Sequence, residues 1–174
     1  MTNFPFNERK ALAAVLFVIQ QLGGSVGKHK LAKILYFADR KHLVKYMRPI
    51  FGDDYIVMPY GPVPSRVYDG VKGEGDVVSF HEALNVKNNI VFATEQADMD
   101  VLSQSDIECL QASVAENGKL SFQELVEKSH QFAYKNADGR VISVLDMAKE
   151  EGASDEVIAY IEDVMSDYQL MTSL

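Results

Sequence analysis

The stretch KHKLAKILYFADRKHLVKYMRPIFGDDYIVMPYGPVPSRVYD, residues 28–69, changes its hydrophobic period twice, and those changes decide the fold class. Leu31, Ile34, Leu35 and Ala38 recur at helical spacing, with Lys30, Lys33, Arg40 and Lys41 on a charged face. The spacing predicts a helix from about Lys28 to Tyr46, stopped by Pro49. Asp54–Pro59, DYIVMP, then has the β-branched and aromatic character of a short strand. In Tyr60–Asp69, YGPVPSRVYD, no apolar period appears before Val67, and two of the five prolines fall within ten residues. This segment reads as a stiff turn that starts a helix near Pro64 or Ser65.

Outward from this centre, Leu12, Val15, Leu16, Ile19 and Leu22 predict a first helix that Gly23-Gly24 ends. On the other side, KGEGD (72–76) is turn chemistry. VVSF (77–80) and NIVFA (89–93) read as a hairpin, with Asn88-Asn89 at its loop. Ser103 with Asp106 and Ser121 with Glu124 have the spacing of capping boxes, and Ser143 with Asp146 caps a further helix ending at Gly152. Val157, Tyr160, Ile161, Val164, Met165 and Tyr168 form one stripe on a last helix, which suits a core face or a dimer. The expectation is a single α+β domain over residues 1–174, mainly α-helical, with a small antiparallel sheet or hairpins in the middle of the chain.

Composition narrows the function. The 174 residues are 47% hydrophobic and 24% charged, as in ordinary globular proteins. No apolar run approaches a membrane span, and MTNFPFNERK lacks the pattern of a secretory leader, so a cytoplasmic protein is expected. The lone Cys109 excludes an internal disulfide. The net charge of −8 is unevenly spread: residues 28–48 carry +6, and residues 74–174 carry −14. Such halves either complement each other or offer a basic segment to an acidic partner.

A search for chemistry leaves little. The histidines His29, His42, His81 and His130 are dispersed. Asp39 and His42 share a helix face, and Asp53 lies nearby, but isolated residues of this kind are more often structural than metal ligands or an acid–base pair. GGSVGK (23–28) is glycine-rich but follows a helix rather than a strand, the wrong context for a phosphate loop. No catalytic group, metal site or cofactor is expected. A helix, a Gly-Gly turn and a basic helix do match the layout of a winged helix-turn-helix. A DNA-binding regulator using Lys28, Lys30, Lys33, Arg40 and Lys41 is therefore the alternative reading, although the helix start lacks an Arg-Asn-Gln set for base edges.

The same stretch resembles the Panacea (SocA-like) antitoxin domain. That family's marks are a Lys-Leu-x-Lys-Leu-Leu-Tyr-Phe-type helix, a glycine near a strand, then Gly-Pro-Val and a tyrosine. They fall here on Lys30, Leu31, Lys33, Ile34, Leu35, Tyr36 and Phe37, on Gly52, and on Gly61, Pro62, Val63 and Tyr68. A later landmark, Ser-His followed by an aromatic that is often tryptophan, falls on Ser129 and His130, with Tyr134 where the tryptophan stands in relatives. The similarity in order covers roughly residues 8–165. The resemblance implies an antitoxin rather than an enzyme, with a toxin encoded nearby as its partner. It also implies, for at least one member, an adaptor that hands the toxin to a protease. Tyr36, Asp39, Arg40, Tyr60, Gly61, Pro62, Val63 and Tyr68 are the candidate partner contacts. For the Gly-Pro-Val segment, building the fold and touching the partner both stay open.

Overall fold

The computed structural model describes residues 4–174. Helix α1 (Glu8–Gln21) leads through strand β1 (Ser25–Gly27) into α2 (Lys28–Tyr46). Strands β2 (Tyr55–Met58) and β3 (Gly61–Pro64) follow, then α3 (Ser65–Lys72) and α4 (Ser79–Ala83). The hairpin β4 (Leu84–Lys87) and β5 (Ile90–Ala93) precedes a 3₁₀ turn at Met99–Val101. The rest is helical: α5 (Gln104–Asn117), α6 (Phe122–Ser129), α7 (Phe132–Lys135), α8 (Val144–Glu150) and α9 (Asp155–Thr172). The fold is α+β, mainly helical, with two small antiparallel sheets.

Helix α2 is the axis of the molecule. Twelve of its nineteen residues are buried, among them Lys33, Asp39, Arg40 and His42. It ends at Met47 in the left-handed conformation, φ 60°, two residues before Pro49. Both capping boxes form: Ser103 Oγ accepts from Asp106 N while the Asp106 carboxylate accepts from Ser103 N, and Ser121 and Glu124 do the same. Around α2, one aliphatic core joins α1, α5 and the β1–β5–β4 sheet. A second core, richer in aromatics, gathers Tyr36, Phe37, Tyr55, Leu125, Ile142 and Ile161 on its other side. The stripe of α9 packs on this second core, with Ile161 buried and Tyr160 left exposed.

The strands depart from the sequence expectation in three places. Val77–Phe80 is not a strand: Val77 and Phe80 are fully buried plugs, packed so closely on Gly70 of α3 that a side chain there would collide with them. The strand comes later, at Leu84–Lys87, and Asn88 and Asn89, both with positive φ, form the tight two-residue loop to β5. Ser25–Gly27, within the glycine-rich run, is a strand because it pairs with Ile90–Phe92. Gly61–Pro64, expected as a turn, is a strand paired with β2. The bond from Ser65 N to Asp54 O sets the alternation, so that Gly61 and Val63 face β2 with their backbone groups. Pro62 and Pro64 occupy the positions that need no N–H.

Candidate functional site

Of the marks that carry the resemblance, Lys33 of α2, Gly61 and Pro62 of β3 and Ser129 of α6 meet at one place, while Gly52 packs on Pro5 and Tyr68 lies on α3. The carbonyl of Pro62 points away from β2 and accepts a hydrogen bond from Nζ of Lys33, 2.8 Å away and fully buried in α2. Gly61, at φ +110°, lies directly over this pair: a Cβ there would sit 2.5 Å from Ser129 Oγ and 2.6 Å from Lys33 Cε. Glycine is required twice, by backbone angle and by space. Burial lowers the Lys33 amine to about 7. Next to Ser129, the His130 ring stacks on Tyr134 with centroids 4.1 Å apart, and the Tyr134 hydroxyl donates to Met58 O. The tyrosine thus ties α7 to β2 where a tryptophan could not present a hydroxyl. Burial first, then the charges of Lys33 and Lys135, lower His130, and its Nε2 is enclosed without a partner among the described residues.

Above this buried cluster the chain shows an aromatic corner to solvent. Tyr60 is 60% exposed and meets Phe122, itself 50% exposed, edge to face at 5.2 Å. Phe122 lies 4.3 Å from the His29 ring, and His29 Nε2 hydrogen-bonds the Tyr60 carbonyl at 3.0 Å. That bond raises His29, but burial and the nearby Lys33 and His130 outweigh it, so its pKa falls. Exposed aromatics held by a rigid base contact partners at low entropic cost. Beside the corner, a groove of about 380 Å³ runs along β1 between His29, Lys30, Phe122 and Leu125.

Other nominated residues lie elsewhere. Tyr36 and Asp39 are fully buried, and Gly61, Pro62 and Val63 are buried too, so they shape the surface from beneath. Asp39 accepts from Ile50 N at 2.7 Å and from the Tyr55 hydroxyl at 2.6 Å, pinning the loop after α2. His42 holds the same loop through Arg48 O and reaches Ser105 and Asp106 on α5. Asp53 accepts from Arg66 N and Val67 N, capping α3 from a distance because Pro64 cannot. Asp39, His42 and Asp53 are therefore structural brackets, and no group of three or more metal-binding side chains occurs among the described residues. Tyr68 is half-buried on α3, 5.0 Å from Lys72 Nζ. His29 and Phe122 were not anticipated. Nothing in sequence marks a first-turn residue such as Phe122, just after the Ser121 cap, as exposed.

The basic helix is largely neutralised within the molecule. Arg40 pairs with Glu150 and Glu151 at 2.6 Å each, and Lys41 with Glu116 at 2.8 Å and Glu151 at 3.7 Å. Lys33 is enclosed, and Lys30 Nζ donates to Gly118 O. Of the five cations nominated for DNA, only Lys28 has a side chain that makes no hydrogen bond or ion pair among the described residues. The two oppositely charged halves of the sequence complement each other along α2. Among the described residues no helix is long and apolar enough to cross a membrane.

No curated protein matches the chain, and no solved structure does. The family model described as "Antitoxin SocA-like, Panacea domain" matches residues 31–135, more than half of the 174 residues, and takes in Lys33, Gly61–Val63, Phe122 and Ser129–Tyr134. The matched span holds the buried cluster of Lys33, Gly61, Pro62 and Ser129, and the chain belongs to the SocA-like Panacea antitoxin family.

Proposed function

We propose that this protein neutralises a protein toxin encoded beside it by binding it directly, with Tyr60, Phe122 and His29 as the contact. One observation carries the reading: Lys33, Gly61, Pro62 and Ser129, which carry the resemblance, meet beneath a single corner, and that corner exposes two aromatic rings. In this reading the protein is a binding module, not an enzyme, and it acts by occlusion. The internal pairing of Arg40 and Lys41 favours a protein partner over DNA.

The test is co-expression in bacteria with each adjacent open reading frame. The wild type should restore growth against one toxic neighbour. The double variant Tyr60→Ala/Phe122→Ala should lose that rescue and bind the purified toxin about 30-fold more weakly, the order expected for losing a hot spot of about 2 kcal/mol. Circular dichroism should be unchanged, since both side chains are half or more exposed. Full rescue by the double variant would reject the corner as the contact.

A further inference from the structure

The β1–β5–β4 order leaves β1 at the edge of its sheet. Bonds from Lys28 N to Asn89 O and from Ala93 N to Gly24 O fix the alternation along β1. Gly24, Val26 and Lys28 therefore face β5, and Ser25 and Gly27 turn their N–H groups the other way. Neither of those N–H groups has a partner among the described residues. Natural sheets cover or charge such edges unless something is meant to pair with them. This one borders the groove floored by Leu22, Val26 and Leu125.

Charge at the edge points to the occupant. No acidic residue lines the groove. Lys28, Lys30 and Lys119, beside Gly118, take part in no salt bridge among the described residues, and the one bond of Lys30 Nζ goes to the Gly118 carbonyl. By contrast Arg40, Lys41, Lys45 and Arg48 are all paired. In a chain of net charge −8, three lysines without a carboxylate partner thus stand around a bare strand edge and an apolar slot.

We propose that β1 and its groove take an extended, acidic segment of the partner protein, added as a fourth strand of the sheet with an aliphatic side chain in the groove. The backbone of the segment supplies the pairing, and its carboxylates meet the lysines. The identity of the partner as a toxin rests on the function proposed above; the edge itself does not.

Gly27 allows a clean test. Its φ of −62° is that of proline, the extended Val26 before it is compatible with proline, and a Cβ there meets nothing within 4 Å. Gly27→Pro therefore removes an outward N–H and blocks the edge, while Gly27→Ala leaves both. The probe is a set of eight-residue peptides with two or three Asp or Glu around a central Val, Ile or Leu, titrated into the isotope-labelled full chain and read by NMR. Binding should shift the Ser25 and Gly27 amides and weaken several-fold from 50 to 300 mM salt. It should fall at least tenfold in Gly27→Pro, and about tenfold in Lys28→Glu/Lys119→Glu should the proline variant fold poorly, while Gly27→Ala matches the wild type. The proposal is overturned by no binding at 1 mM peptide, by equal binding to Gly27→Pro, by shifts mapping elsewhere, or by a DNA duplex or a second copy of the chain taking the edge more tightly. Toxin rescue by Gly27→Pro at the wild-type level would remove the edge and leave the antitoxin reading intact. Peptide binding at the edge with no toxic neighbour would do the reverse.

Discussion

Helices α2 and α9 are alike in length, nineteen and eighteen residues, and each shows an apolar stripe beside a charged face. In the folded chain they have opposite fates. The first is enclosed on nearly every side, so that even Lys33, Asp39 and His42 are sealed from water. In the second only Ile161 is fully buried, and its acids face solvent. A charged face on a helix therefore does not mean an exposed face. It can equally mean that neighbouring loops bring the hydrogen bonds to it, as the 47–53 loop does for Asp39 and His42.

The largest effect that would sharpen this contrast is Asp39→Ala. It strips the acceptor from the buried Ile50 N–H and leaves the Tyr55 hydroxyl only its longer bond, 3.2 Å to Leu35 O. With about 3 kcal/mol for the orphaned amide and about 1 kcal/mol for the lost hydroxyl bond, the loss should be about 4 kcal/mol by urea unfolding. A loss below about 1 kcal/mol would mean that the loop re-pairs elsewhere and that α2 does not depend on its buried charge.

On α9, neighbours in sequence should differ. Ile161→Ala should cost about 3 kcal/mol and Tyr160→Ala no more than about 0.5 kcal/mol. Equal losses at the two positions in thermal melts would show that the exposed side of α9 is covered in solution.

The smallest effect separates α2 by its response to pH. Burial lowers Lys33 to about 7 from 10.5, so above pH 7 the folded state holds fewer protons than the unfolded one. Stability from this group is fully present above pH 10.5 and is lost as pH falls through 7. Between pH 7 and 9 the wild type should gain up to about 1.4 kcal/mol per unit relative to Lys33→Met. Parallel profiles would place the lysine in a wetter setting.

The contrast also explains what the sequence could convey. Helices and their caps were legible because period and capping are local: α1, α2, the paired Ser103–Asp106 and Ser121–Glu124 boxes, and the Asn88-Asn89 loop all stand where spacing put them. The strands were not, because pairing is set by the partner. Prolines in Gly61–Pro64 argue against a strand until β2 is seen to need no donor from them, and Val77 with Phe80 looks like a strand until Gly70 is seen beneath. Of the nominated contacts, Tyr60 stands at the exposed corner, whereas Tyr36 and Asp39 are internal. Spacing puts a residue on a face, but only the packing of α1, α5, α6, α8, β1 and β3 around α2 decides whether that face is wet.

The strand order β1–β5–β4 has a consequence for the route by which the chain folds. The β4–β5 hairpin closes across two residues and needs on the order of microseconds. β1 must instead join a partner more than sixty residues downstream, and the entropy of closing so long a loop falls on that step alone. This connectivity predicts that the short edge strand is the last of the three to be laid down and the first to lift, which faster amide exchange in Val26 than in Val91 would show. A strand arriving from another protein would complete, from outside, the part of the sheet that the chain's own connectivity leaves weakest.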